Sequence, residues 1–565
     1  MVTASVISDA GGAAAIVARA LALTATVGMA GATLFRIVVI PTGIPVADDA
    51  VGRRVADAGF AAALVAVVAT AIRIVLQAQA FASPGDALLP VIATVSRTTW
   101  GRAALVVIDP RRTPVADRAD VHLALRPGTD VVLGYAIAAW LVDNDHVDRA
   151  FVDQHVAGYD EFVAAAREWS VERAAMVCGV PAADIVRVAE CIATIHPAML
   201  RTGWGMERNR NGASAYLAAH GVWALAGHFG VRGSGILDST SKAFPNSVLV
   251  EWPEHLDRPD RGTINMNRVA RIINGDRSEW PVAPRVLVIQ GANPAVTSVD
   301  QVGMLEALSR EDVFTVVHEQ VMTDTAVYAD VVLPATSHFE IHDVIGSYGS
   351  YTAQENTKVI ERVGESRSNG EVAEALAVAL GFPRSEFDAS AEAVDRLVAE
   401  SLCSGSVSVR EPGATLQFRD TFPTFEDRKM KLWRTGHRLP GPRFVPLDDD
   451  RHPLTLITPA TTFTINSMFG DTAPPPAVVK LSLADASKRG ISDGQLVEVS
   501  NDRAKVRLPA DVDDAMREGV CSIPKGLWRR SVSGGLTANA FAPDTFSDLS
   551  DGACFNDARV EIRAL

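Results

Sequence analysis

Apolar positions change their spacing twice along this chain, and each change marks a different kind of element. Between Arg19 and Arg36 runs ALALTATVGMAGATLF, and a second uncharged run, Ala58 to Ile72, continues past Arg73 as IVLQAQAFA. Each approaches the ~20 apolar residues that a bilayer-spanning helix needs, so the pattern predicts two membrane helices, over Ala13 to Ile40 and Arg54 to Phe81. The competing arrangement is a pair of alanine-rich helices buried in a soluble bundle, because arginines interrupt both runs. No basic stretch precedes the first run, which argues against a cleaved signal peptide.

From Leu105 onward, short apolar runs alternate with amphipathic stretches, the pattern of a parallel α/β sheet. VLVIQG (Val286 to Gly291), FTVVHEQ (Phe314 to Gln320) and ADVVLPA (Ala329 to Ala335) read as buried strands that end in loops. Open α/β sheets bind ligands at the carboxyl ends of their strands, so the residues just after these runs are the candidates for chemistry. Gly381 to Asp450 is rich in Pro, Gly, Ser and charge and reads as a long connection. Beyond it, LTLIT, GQLVEVS and AKVRLPA predict a small β-barrel. The predicted fold class is α/β, with doubly wound parallel sheets, a C-terminal β-barrel and two N-terminal membrane-like helices. The boundaries are 1–104 for the membrane-like segment, 105–284 and 285–400 for two α/β domains, 401–450 for the connection and 451–565 for the barrel.

Charge sharpens the first boundary. Residues 1–105 hold seven Arg and five Asp and neither Lys nor Glu, a net +2 against −14 for all 565 residues, which leaves −16 for the rest. That acidity disfavours a nucleic-acid partner. The five cysteines, Cys178, Cys191, Cys403, Cys521 and Cys554, include no CxxC. Neither a disulfide framework nor a four-cysteine metal site follows from such spacing, and no iron–sulfur cluster is expected.

Several strand ends carry polar groups suited to a nucleotide. ALVVIDPRR presents Asp109, Arg111 and Arg112 after a predicted strand; a carboxylate can accept from a guanine edge or ribose, and an arginine fork can hold a phosphate. On its own DPRR is equally a solvated strand end. PGTD follows about twenty residues later, where Gly128 permits a tight turn that returns Asp130 to the same edge. RTGWGMERNRNG (Arg201 to Gly212) is glycine-rich at Gly203 and Gly205 and ends in Asn211 and Gly212; it is either a plain turn or a place of close backbone approach to a ligand. GANPAVT contains Asn293, and in HEQVMTD, Thr323 can cap a helix and bond phosphate while Glu319 or Asp324 reads a guanine. Each of these could be capping alone. His338, Glu340 and Tyr348 stand either as packing or as groups facing the ligand.

In order and spacing, these motifs resemble the molybdopterin oxidoreductases, the dimethyl sulfoxide reductase family, over about 460 residues nearly all beyond Leu105. TLITPATTFTINSMFG, IPKGLWRR and TANAF resemble that family's C-terminal dinucleotide-binding domain, and place Asn466, Ser467, Trp528 and Asn539 where it contacts pterin and phosphate. The resemblance implies molybdopterin guanine dinucleotide as cofactor and two-electron chemistry at molybdenum. Residues Arg19 to Ala103 resemble the membrane domain of copper-resistance D proteins, although Met29 is the only soft copper ligand there. The family's cysteine-rich cluster domain and metal-ligand region usually precede IDPR, and here the membrane-like segment stands in their place. The expectation is therefore a membrane-associated, N-terminally truncated homologue that binds the dinucleotide weakly, with molybdenum left open and membrane sidedness unread. Its expected partners are the membrane and an electron-transfer subunit. Three alternatives stay open: a cofactor-poor remnant or structural subunit, a chimaeric reading frame, and a copper-import module with a passenger domain.

Overall fold

The computed structural model describes residues 104–239, 262–346, 353–384, 415–447, 449–461, 465–472 and 474–565, with a few single positions between 388 and 396. The chain divides into two units, one of Met1–Ala104 with Thr194–Ala198 and one of Leu105–Ala193 with Met199–Leu565. Both predicted membrane helices, and Tyr348, lie outside the described residues. Among the described residues no helix is long and apolar enough to cross a membrane.

The second unit opens with two short parallel strands, β1 (Val106–Ile108) and β2 (Val121–Leu123). Helix α1 (Asp130–Asp143) comes next and α2 (Val171–Cys178) packs on it. A two-residue strand β3 (Val156–Ala157) lies between them, and a second parallel pair is formed by β4 (Met199–Arg201) and β5 (Gly235–Leu237), joined through α3 (Gly212–Leu225). Helices α1 and α3 are apolar on every side, which marks them as central rather than surface helices. They approach closely because Gly134 has no side chain: a Cβ there would lie 2.8 Å from that of Ala218.

The second α/β part packs α4 (Val269–Ile273) and α5 (Gln301–Leu308) on a three-stranded parallel sheet, β6 (Val286–Gln290), β7 (Phe314–Glu319) and β8 (Val331–Pro334). Ile289, Val317, Met304 and Leu308 form its core. These three strands were expected to be buried, but β6 and β7 bury one face only and β8 leaves Val331 and Val332, on opposite faces, both exposed. Val286, Val288 and Phe314 are 60%, 57% and 49% exposed, since α4 and α5 cover the opposite side only. Parallel sheets normally have both faces covered. The fold is α/β as expected, and among the described residues the parallel strands form separate two- and three-stranded sheets. An antiparallel hairpin, β9 (Asp343–Gly346) with β10 (Ala353–Asn356), and helix α6 (Asn369–Ala379) complete this part. Ser368 and Glu371 start α6 with a reciprocal capping box.

Part of the expected connection is built into the first α/β part. There β11 (Met430–Lys431) pairs with β3, Leu432 is fully buried, and the Tyr135 hydroxyl donates to the Pro442 carbonyl. Beyond it the predicted barrel is present and closed, in the order β12 (Leu454–Ile457), β16 (Val520–Ser522), β13 (Val479–Leu481), β15 (Lys505–Val512), β14 (Leu496–Ser500) and β17 (Arg559–Ala564). Alternation along β15 shows why: Val506, Leu508 and Ala510 fill the interior while Lys505, Arg507 and Pro509 face out. A short helix, α7 (Leu483–Arg489), is capped at its start by the Ser482 hydroxyl, which accepts from the Asp485 amide at 3.0 Å, and closed by Gly490 at φ +62°.

Candidate functional site

The barrel is tied to both α/β parts by buried polar contacts. Asp548 accepts from the Ala213 and Ser214 amides at 2.8 and 3.2 Å, capping the N-terminus of α3, and Asp557 pairs with Arg210 at 2.9 Å. On the other side the Thr537 amide donates to Gln301 Oε1 at 2.8 Å, and Asn539 Nδ2 donates to the Val296 carbonyl at 2.7 Å. The glycine-rich loop and the GANP turn are thereby each held against the barrel.

Asp109 and Asp130 both come after strands of the parallel pair β1–β2, at its carboxyl end. The Asp109 amide donates to the Leu123 carbonyl at 3.2 Å, and Asp109 Oδ1 accepts from the Arg111 amide at 2.8 Å. Arg111 forms a bridge with Met516 and the Arg112 amide donates to the Ala515 carbonyl at 2.8 Å, so the DPRR loop is also docked on the barrel. Arg112 spends its guanidinium on exposed Asp117, at 2.6 Å. Gly128 takes φ +82° and turns the chain into α1. Burial pushes the Asp130 carboxyl, in the first turn of that helix, up to about 6.

Other predicted site residues also tie the protein's own loops together. Asn211 is buried; its Nδ2 donates to the Gly128 and Val445 carbonyls at 2.9 and 3.0 Å, and its Oδ1 accepts from the Val445 amide at 2.9 Å. With its amide filled, it joins the PGTD turn, the glycine-rich loop and the segment expected as a connection. Trp528 is buried, its indole donating to the Ser467 carbonyl at 2.7 Å, so it positions the Asn466–Ser467 turn. Asn539 is spent on Val296, and Asp324 accepts from the Arg529 amide at 3.0 Å. Thr323 does cap, accepting from the Ala326 amide at 3.1 Å. It caps a three-residue 3-10 turn, Ala326–Tyr328, instead of the expected helix, and the predicted helix-terminal anion site is corrected accordingly. Glu319 accepts from its neighbour, the Gln320 amide, at 2.8 Å. Glu340 is a packing group: it accepts from the Ser337 and Val363 amides and the Ser337 and Ser366 hydroxyls, which hold it down at about 2. The His338 ring lies 4.0 Å from that of Phe339.

Three features are suited to a ligand. Asn293 is buried; its Oδ1 accepts from the Thr325 amide and hydroxyl at 3.1 and 2.7 Å, but its Nδ2 has no partner among the described residues. Gly203 and Gly205 have open space where a side chain would stand. Arg208 and Lys525, absent from the residues predicted from sequence, are half-buried cations close enough to repel. Burial lowers the pKa of Arg208, and burial together with the Arg208 charge brings Lys525 down to about 8. Lys525 Nζ donates to Asn466 Oδ1 at 3.1 Å, while the Arg208 guanidinium lies 5.2 Å from the Phe555 ring and beside the Glu207 charge. Lys525 comes shortly after the end of β16, so its strand-end position was the available signal. A cavity of about 930 Å³ lies between the first α/β part and the barrel, lined by Gly128, Thr129, Asn209, Asn211, Arg126 and Arg517 among others.

Comparison with known proteins decides what this arrangement belongs to. The molybdopterin oxidoreductase family pattern matches residues 88–379, just over half of the chain, and the molydopterin dinucleotide binding domain pattern matches residues 454–559. The chain belongs to the molybdopterin oxidoreductase family. This family member is 31% identical over 484 residues to the "Probable oxidoreductase YoaE" of Bacillus subtilis, covering 81% of this chain and 70% of that protein. It is 26% identical over 517 residues to the dimethyl sulfoxide/trimethylamine N-oxide reductase of Rhodobacter capsulatus, with 75% and 61% covered. Among solved structures, the acetylene hydratase of Pelobacter acetylenicus shares the fold, with a TM-score of 0.67, 19% identity, and 84% and 75% covered. The chain thus spans less than two thirds of the Rhodobacter reductase's length.

A pterin dinucleotide suits the groups this family member presents. The orphan Asn293 donor calls for an acceptor, and the two clustered cations, Arg208 and Lys525, call for anionic charge. The open glycines allow a ligand to approach the backbone. Among the described residues no group of three or more His, Cys, Asp or Glu could hold a metal.

Proposed function

We propose that this chain holds molybdopterin guanine dinucleotide at the carboxyl ends of its parallel strands, beneath the barrel, and serves as an oxidoreductase. The observation that carries this reading is the buried Asn293 donor, which lacks a partner among the described residues, where the second α/β part meets the barrel. The mutually repelling Arg208 and Lys525 support it from the other side. When bound, the cofactor supplies two-electron redox chemistry at a metal held through its own dithiolene sulfurs. Arg208 and Lys525 would hold the phosphates, Asn293 Nδ2 would donate to the nucleotide on the GANP side, and Asp109 and Asp130 would accept from a guanine on the other. Asn211, Trp528 and Asn539 keep these loops in place. On the sequence alone, the N-terminal segment is the proposed membrane attachment, and an electron-transfer subunit is the proposed redox partner.

The open face of β6–β8 favours a second reading, a structural member of the family that binds little or no cofactor. Cofactor content separates the two. Full-length protein purified from a host that makes the dinucleotide should release guanine nucleotide on acid treatment, and R208A/K525A should release far less; none from either protein would leave the structural reading.

A further inference from the structure

The cavity of about 930 Å³ beside the PGTD turn lies in the size range of small-molecule pockets, roughly 300–1,000 Å³. Its charge runs against that of the chain, which is −14 overall. Six cationic side chains and three carboxylates line it. Arg210 pairs with Asp557 at 2.9 Å, Arg489 with Asp485 at 3.3 Å, and Lys488 with Glu518. Those pairs use every carboxylate in the lining. Arg559 is taken up by the His452 and Pro453 carbonyls and the Thr455 hydroxyl. Arg126 and Arg517 are left.

These two arginines meet at one carbonyl. The Arg126 amide donates to the Cys178 carbonyl at 2.9 Å, and Arg517 Nη1 donates to the same oxygen at 3.3 Å, to the Gly179 carbonyl at 3.0 Å and to the carbonyl of Ala124. Carbonyls at the C-terminus of α2 offset part of a positive charge, but none of them is an anion. Arg126 is exposed, and its guanidinium makes no hydrogen bond or ion pair among the described residues. Burial, and then the Arg126 charge, lowers the Arg517 pKa, so the two cations stand close enough to repel. Neighbouring guanidinium groups without a carboxylate between them call for an anion from outside. The same lining holds an apolar surface, Phe444, Pro446 and Leu447 from the connecting segment with Met176 and Val177 from α2.

We infer that this cavity binds an organic phosphate of the nucleotide class, its anionic groups held by Arg126 and Arg517 and its apolar body against Phe444 and Leu447. The site is separate from the one proposed for the dinucleotide: Asp109, Asp130, Asn293, Arg208 and Lys525 are all absent from its lining. Arg517 is already fixed by three carbonyls, so little side-chain freedom is lost when it meets the ligand. Arg126 is the cation free to close on it.

Fluorescence anisotropy of the full-length chain, titrated with methylanthraniloyl-labelled adenosine diphosphate, tests this. The parent should bind the probe, more weakly as salt rises. R126E should weaken binding about ten-fold or more and keep the parent's melting temperature, because the Arg126 guanidinium holds nothing else in place. R517Q should weaken binding as well, whereas R208A/K525A should bind as the parent does. Inorganic pyrophosphate should compete about ten-fold more weakly than unlabelled adenosine diphosphate, since it fills the cationic end alone. Unchanged affinity in R126E, or no binding by the parent at millimolar concentration, would overturn the inference. Equal competition by pyrophosphate and the nucleotide would remove the apolar body from it. Binding lost in R208A/K525A and kept in R126E would put the probe at the dinucleotide site and overturn it too. Purified protein that carries no dinucleotide would count against the proposed function and leave this titration unaffected.

Discussion

Asn293 carries two jobs in one buried side chain. Its oxygen satisfies the Thr325 amide and hydroxyl, and its amide hydrogens point to no protein acceptor among the described residues. Asn293→Ala therefore leaves the Thr325 amide buried and unpaired, a loss of about 1–3 kcal/mol, and removes the donor as well. Denaturant unfolding should show that loss, and bound guanine nucleotide should fall with it. Asp130 makes a different, pH-dependent forecast. Burial raises its folded pKa from 3.8 to about 6, so the folded state binds the proton more tightly than the unfolded state does. The resulting penalty is absent below about pH 4, grows as pH rises, and is complete above about pH 6. Asp130→Asn should accordingly match the parent's stability near pH 4 and exceed it at pH 7 in urea titrations, and equal stabilities at both would refute the assignment. Which polar residues tie distant loops together was hidden in the sequence. Asn211, Trp528 and Asn539 find their partners 234, 61 and 243 residues away, and no local pattern reveals a hydrogen bond of that range.

At the scale of elements, the strand runs and their polar ends were legible because buried parallel strands are short, β-branched and bounded by turns. The barrel was legible for a related reason, the period of two along β14 and β15. Exposure of one sheet face was not, since an apolar strand has the same sequence whether one face or both are covered. The two faces of β6 make that difference measurable. Ile289 is buried against α4 and α5, and Ile289→Ala should cost about 2–5 kcal/mol. Its neighbour Val288 is 57% exposed, and Val288→Thr should change stability by less than about 0.5 kcal/mol. Equal losses in chemical unfolding would show that the outer face is covered in solution.

Over the whole molecule, the barrel is the common support: Asp548 and Asp557 tie it to the glycine-rich loop, Thr537 and Asn539 to the second α/β part. In the proposed function, a ligand gripped from both parts would need that third body to hold them in register. The two membrane-like helices expected before residue 105 lie outside the described residues, so the proposed cofactor site rests on the α/β parts and the barrel alone. Retention of a molybdopterin guanine dinucleotide by these parts is the property on which the proposed function depends. The most direct measurement is native mass spectrometry of the full-length chain from a cofactor-producing host, paired with elemental analysis for molybdenum and tungsten. The expected result is a mass increment equal to the dinucleotide, diminished in R208A/K525A. A chain of bare polypeptide mass, with no guanine nucleotide released on denaturation, would contradict it.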